Sequence, residues 1–172
     1  AGDDEGAAEL YRHILEQDPE HAEALHLLGL AEQGMNDIEA ALLHIAKAVE
    51  RSPDAALYRV NLGTLLCKAG RPSDAVSILE GAILCDPEIP QAHYALGNAL
   101  AALGDRSGAL QSYIRSSDLR PDHSETINNI ALIVRQQGEL QEALFYLEGA
   151  TRISPPYPPA FSNLCACYLE SG

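Results

Sequence analysis

The sequence predicts an all-α chain, an α-solenoid of antiparallel helix pairs. Three observations carry that expectation. Prolines recur at a step of 34 residues, at Pro19, Pro53, Pro87, Pro121 and Pro155. Alanines do the same at Ala7, Ala41, Ala75, Ala109 and Ala143. A third column reads Leu28, Leu62, Leu96, Ile130 and Leu164, with Gly29, Gly63 and Gly97 beside it, continuing as Ala131 and Cys165. A fixed period of this length is the mark of stacked supersecondary units that bury their apolar faces on one another.

The chain opens with a lone second helix over about 4–17, within a half repeat at 4–21. Full repeats follow at 22–55, 56–89, 90–123 and 124–157, then a half repeat at 158–172 with its helix over about 159–170. The whole of 1–172 reads as a single array. Within 56–89 the first helix covers about 55–68, and Ala69-Gly70-Arg71-Pro72 breaks it. Ser73 is the expected N-cap of the second helix, which runs to Cys85 before Asp86-Pro87 closes the unit. Ala75, Ile78, Leu79, Ala82 and Ile83 give that helix one apolar stripe.

Gly70, Gly104 and Gly138 fall at the turn between helices, where a left-handed C-cap suits glycine. The first unit has Gln33-Gly34-Met35-Asn36 there and reads as irregular. The Gly and Ala columns allow close helix approach, toward the short end of about 8–10 Å. A large residue at Ala75 or Ala109 should overpack the seam by roughly 1–3 kcal/mol. In Ser154-Pro155-Pro156-Tyr157-Pro158-Pro159, the phase of Pro155 favours a stiff inter-unit turn over a proline-rich ligand, and Pro158–Pro159 open the last helix.

Composition narrows the partners. The 172 residues are 47% hydrophobic, enough for a core, and carry 11 Lys+Arg against 25 Asp+Glu, a formal charge of −14. Such a surface repels phosphate backbones and anionic head groups, so no nucleic acid is expected, and a neutral or basic protein or peptide is the better match. No apolar run reaches the roughly 18 residues of a membrane span, so no membrane insertion is expected. Cys67, Cys85, Cys165 and Cys167 do not form a secreted disulfide framework, and a reduced, cytoplasmic setting follows as the expectation.

No catalytic motif, metal-ligand set or cofactor fingerprint is present, and the chain reads as non-enzymatic with no cofactor. Cys165 and Cys167 lie about 200° apart on a helix and do not chelate together. Cys165 falls in the small packing column and reads as structural; Cys67 reads as the most exposed thiol. His21 and His123 occupy equivalent loops by repetition. Asp3-Asp4 reads as solvated terminal charge.

Leu62-Gly63, Ala75, Leu79, Ala82 and Pro87, recurring in phase, resemble the tetratricopeptide repeat (TPR) pattern over essentially the whole chain. The pattern resembles bacterial TPR arrays and the TPR region of O-linked N-acetylglucosamine transferases. The resemblance implies a right-handed superhelix whose first helices line a concave groove for an extended segment or helix of a partner. Departures exist. The usual aromatic early in the first helix is Leu25, Arg59, His93, Ile127 and Phe161 here. The usual tyrosine further along is mostly aliphatic, and Glu32 interrupts that column.

Groove candidates are first-helix residues facing away from the packing columns. Asn61, Asn129 and Asn163 share one column, broken by Leu27 and Ala95. An amide both donates and accepts, and in the related transferases an asparagine ladder grips peptide backbone this way. His26, Tyr94 and Asn128 neighbour that column, with Thr64, Asn98 and Arg135 one turn on. The plainer reading of all nine is a solvated helix face. Chaperone-binding members clamp a terminal carboxylate with Lys and Arg beside Asn. Asn98 and Asn129 match the Asn part, but Tyr94, Pro159 and Asn163 stand at the basic positions, against such a clamp.

Gly2 and Gly172 share the phase of the inter-helix turn. Tyr11, Ile14 and Leu15 at one end, and Phe161, Leu164 and Tyr168 at the other, then suggest exposed seams. Either the chain is part of a longer array, or copies associate head-to-tail through the terminal half repeats. The main alternatives to a free-standing scaffold are therefore the substrate-recognition region of a larger enzyme, such as a glycosyltransferase, and a self-assembling structural subunit.

Overall fold

The computed structural model describes residues 2–171, with side chains from Asp4 onward; Asp3's carboxylate and the turn phase of Gly172 lie outside the described residues. Among the described residues the chain is all-α, with ten helices and no strand. They are α1 (Gly2–Gln17), α2 (Ala22–Gly34), α3 (Ile38–Arg51), α4 (Ala56–Lys68), α5 (Pro72–Cys85), α6 (Pro90–Ala102), α7 (Arg106–Leu119), α8 (Ser124–Gln136), α9 (Leu140–Arg152) and α10 (Pro158–Ser171). They divide into two compact units, residues 1–87 and 88–172.

In the first unit α1 packs on α2, α2 pairs with α3, and α3 with α4, which pairs with α5. In the second, α6 pairs with α7 and α8 with α9, while α10 lies on α8 and α9.

Every turn within a hairpin closes in one way. The amides of Asp37, Arg71, Asp105 and Glu139 reach back to the carbonyls of Glu32, Leu66, Leu100 and Val134 at 2.9, 2.9, 3.0 and 3.2 Å. This bond pattern requires one residue with positive φ, supplied by Asn36 (63°), Gly70 (74°), Gly104 (83°) and Gly138 (91°). The first turn is therefore regular. Its apparent irregularity came from seeking glycine where asparagine, the next most tolerant residue, stands.

A second correction concerns α5. Arg71 is its N-cap, without a side-chain bond, and Pro72 its first helical residue, so Ser73 lies inside the helix. Proline at that position gives up no intrahelical donor.

The small column works by contact. A Cβ on Gly29, Gly63 or Gly97 would lie 2.5 Å from Ile45, Leu79 or Tyr113, the side chains laid over them by the second helix of each hairpin. Ala75 and Ala109 are fully buried. The thiols differ from expectation. Cys165 is exposed, because no helix among the described residues covers that face of α10, whereas Cys167 is buried. Cys67 is half-buried, leaving Cys85 and Cys165 as the exposed pair.

Glu32 interrupts an aliphatic column without being orphaned. Its buried carboxylate accepts from His44 Nδ1 at 2.7 Å and meets Arg12 at 3.5 Å, tying α1, α2 and α3 together. A buried carboxylate stripped of such partners costs several kcal/mol.

Candidate functional site

The nine sequence candidates separate into two sets once their partners are known. In the first unit Asn61 Nδ2 lies 2.8 Å from His26 Nε2, and His26 stacks on the Tyr58 ring at 4.2 Å between centroids. His26 is buried, and desolvation holds its pKa below the ordinary imidazole value, against a smaller upward pull from Glu23. A neutral imidazole is what accepts the Asn61 amide proton. In the second unit Asn163 Nδ2 donates to Asn128 Oδ1 at 2.8 Å, and Asn128 is buried. Both bonds span an offset of 35 and join first helices of successive hairpins, α2 to α4 and α8 to α10.

Other candidates are also engaged. Thr64 Oγ1 donates to the Val60 carbonyl at 2.8 Å, within its own helix. Asn98 Oδ1 accepts the Tyr113 hydroxyl at 2.7 Å. Tyr94 is half-buried against Tyr113 and His123, and burial pushes its phenol well above the usual range. Arg135 forms a two-pronged pair with Glu170, its Nε 2.9 Å from Oε2.

Asn129 is different. Its Oδ1 receives only a 3.4 Å contact from Asn128, and its amide nitrogen has no hydrogen-bond partner among the described residues. It lines a cleft of about 330 Å³ formed by α6, α7 and α8, together with Ala101, Tyr113, Leu132, Ile133, Arg106 and Gln136. Arg106 Nε donates to Gln136 Oε1 at 3.0 Å, fixing both side chains at the rim.

Sequence reasoning missed Arg106 and Gln136. A signal existed for the first: positions 4, 38, 72, 106 and 140 hold Asp4, Ile38, Pro72, Arg106 and Leu140, so Arg106 is the one basic residue in its column. Gln136 shares its column with Gly34, Lys68 and Ala102 and carries no such mark.

Among the described residues no three His, Cys, Asp or Glu side chains converge as a metal site, and no helix is long and apolar enough to cross a membrane.

Comparison with known proteins fits this geometry. The tetratricopeptide repeat family model matches residues 1–56, 26–93, 60–124 and 94–158. The chain is 29% identical over 174 residues to mouse Superkiller complex protein 3, covering 100% of this chain and 11% of that protein. It thus spans about a ninth of that relative's length. Among solved structures, MamA superposes with a TM-score of 0.81 at 24% identity, over 88% of each chain. YrrB, described as a TPR protein with an unusual peptide-binding site, superposes at 0.78 with 24% identity, over 95% of this chain and 84% of its own. The repeated turns, the small packing columns and the family match agree: the chain belongs to the tetratricopeptide repeat family and has its all-α solenoid fold.

Proposed function

We propose that this chain is a non-catalytic scaffold that recruits a protein or peptide segment through the exposed faces of its first helices. One observation carries the reading. The α6–α7–α8 cleft combines an apolar floor, Leu132 and Ile133, with unspent amide donors on Asn129 and Gln136. Such donors take backbone carbonyls whatever the side-chain sequence, as extended-segment recognition needs. That a structurally similar protein, YrrB, has a peptide-binding site supports the reading.

Within the nine candidates Asn129 is the contact residue; Asn98 and Tyr94 hold Tyr113, which lines the cleft, Asn128 and Asn163 hold first helices of the second unit in register, and His26 and Asn61 do so in the first. Thr64 and Arg135 act at most at the margin. The formal charge of −14 favours a segment that is neutral or basic overall and disfavours nucleic acid, while four free cysteines suit a reduced, cytoplasmic setting. The array of four full and two half repeats belongs to the same proposal.

The test is selection of peptides from a random display library on the chain, followed by amide-resolved NMR titration of the recovered peptides. Shifts concentrated at Asn129, Leu132 and Gln136 are expected. Shifts confined to the second helices, α7 and α9, would overturn the reading.

A second reading is favoured by α10 alone, because Tyr11 and Leu15 of α1, expected as an exposed seam, pack instead against the core of Ala8, Leu28 and Ala31. Phe161, Cys165 and Tyr168 recur along one face of this helix and are exposed, whereas Ala131 and Val134, the equivalents of the latter two in α8, are buried. Head-to-tail association of copies through that face is checked by light scattering against concentration; a constant molecular mass contradicts it. A third is that the chain serves as the recognition region of a larger enzyme, such as a glycosyltransferase; the full coding sequence decides it.

A further inference from the structure

Seven of the nine arginines lie against a carboxylate: Arg12, Arg51, Arg71, Arg115, Arg120, Arg135 and Arg152. In a chain with 25 acidic residues this is the ordinary outcome. Arg59 donates instead to the Pro53 carbonyl at 3.0 Å. Arg106 meets the neutral oxygen of Gln136, and no carboxylate among the described residues.

The neighbouring acid is already engaged. Asp105 caps α7, accepting from the Gly108 amide at 3.0 Å and the Ser107 hydroxyl at 3.2 Å, and it does not line the cleft. The first unit offers an internal control. Its cleft of about 390 Å³, lined by Leu42, Ala46, Leu62, Leu66, Ser77 and Ile78, also holds an arginine, but there Arg71 meets Asp74 at 2.6 Å and the charges cancel.

Hydrogen-bond accounting then decides what the second cleft accepts. Of the Arg106 N–H groups, Nε is spent on Gln136, leaving the terminal nitrogens. Gln136 Oε1 accepts once from Arg106 and Asn129 Oδ1 once, at 3.4 Å, from Asn128, so each oxygen keeps one lone pair while both amide nitrogens are unspent. The Tyr113 hydroxyl proton goes to Asn98. Unspent capacity on the polar side chains is thus dominated by donors, with one full positive charge. The excess of donors and the positive charge favour a ligand that accepts, and a planar carboxylate matches the guanidinium edge.

We infer that the α6–α7–α8 cleft is a subsite for one acidic side chain, an Asp or Glu within a bound segment, with Arg106 as its specificity-determining residue. Asn129 and Gln136 take the adjoining backbone carbonyls. The inference rests on the peptide-binding reading above and sharpens it: an isolated acid in a segment otherwise neutral or basic. A run of acids would be repelled by the −14 charge of the chain.

The test titrates the isotope-labelled chain with capped pentapeptides, acetyl-Ala-Ala-Glu-Ala-Ala-amide and its Gln counterpart. Two further arms are acetyl-pentaalanine with a free C-terminus and an acetylated, amidated pentaglutamate. The Glu peptide is expected to bind roughly 2–5-fold tighter than the Gln peptide, the size of one solvent-exposed ion pair. It should shift the Arg106 Nε–H resonance and the side-chain amides of Asn129 and Gln136, with less discrimination at higher salt. Arg106→Gln is expected to erase the preference of Glu over Gln peptide, whatever it does to the affinity they share through Gln136, and Arg106→Lys to retain part of it.

Equal binding of the Glu and Gln peptides, or a preference that survives Arg106→Gln, overturns the inference and leaves the peptide-binding reading standing. If neither peptide moves Asn129, Leu132 or Gln136, both fail. Stronger binding of the C-terminal carboxylate than of the internal Glu overturns the side-chain assignment, and stronger binding of pentaglutamate overturns the isolated-acid rule.

Discussion

The two units fasten neighbouring first helices at the same register position with different chemistry. In the first unit, Asn61 on α4 bonds to the imidazole of His26 on α2. In the second, Asn163 on α10 bonds to the amide of Asn128 on α8. His26 and Asn128 are three periods apart in sequence, as are Asn61 and Asn163. The slot therefore specifies a buried acceptor, not a residue type. An imidazole fills it with a ring that also stacks on Tyr58, and an amide fills it without one. Only the imidazole can lose its acceptor lone pair to a proton within the mild pH range.

The largest expected effect follows from that extra ring. His26→Ala removes a buried aromatic body as well as the acceptor, and should destabilise the first unit by about 3 kcal/mol. Asn128→Ala leaves less empty volume and should cost the second unit about 1–3 kcal/mol. Urea unfolding followed by hydrogen exchange in α2 and α8 separates the two.

Next in size is the response to acid. The folded pKa of His26 lies below its unfolded value, so the unfolded chain binds the extra proton first. The stability due to neutral His26 is thus whole above about pH 6.5 and is lost as pH falls through the depressed folded value. His123, in the second unit, is lowered too, by burial and then by Arg120, so global unfolding mixes both groups. His21 and His44 also contact α2, so the exchange of α4, which carries the Asn61 partner, isolates His26 best. Protection there should drop on acidification in the wild type and stay level in His26→Asn.

His26→Asn should have a smaller effect than His26→Ala at neutral pH. It rebuilds the second unit's pair in the first, losing mainly the stack on Tyr58, and should cost about 0.5–1.5 kcal/mol. A loss as large as that of His26→Ala would show that the slot is specific for imidazole.

Much of the architecture was legible because repetition copies backbone demands. Pro19 and its successors close units, Gly70 and its successors carry positive φ, and Gly63 accepts the Leu79 side chain. Legibility failed where a second residue type meets the same demand. Asn36 replaces a turn glycine, and Pro72 starts a helix that Ser73 was expected to cap.

The site was harder to read for a different reason. A column alignment shows that Asn61, Asn129 and Asn163 share a face but not which amides are already bonded. The bonds join one column to the next column of the following unit, an offset of 35 that a search at 34 does not test. Arg106 escaped notice because it sits on a second helix, outside the face searched for contacts.

The central claim is that spent and unspent asparagines have different jobs, and thermal unfolding of three single variants tests it most directly. Asn61→Ala and Asn163→Ala each delete a register bond of about 1 kcal/mol and should lower Tm by roughly 2–4 °C. Asn129→Ala should leave Tm within about 1 °C of wild type, because its amide donor holds nothing in the fold. A fall for Asn129→Ala as large as for the other two would contradict the division between structural and recognition residues.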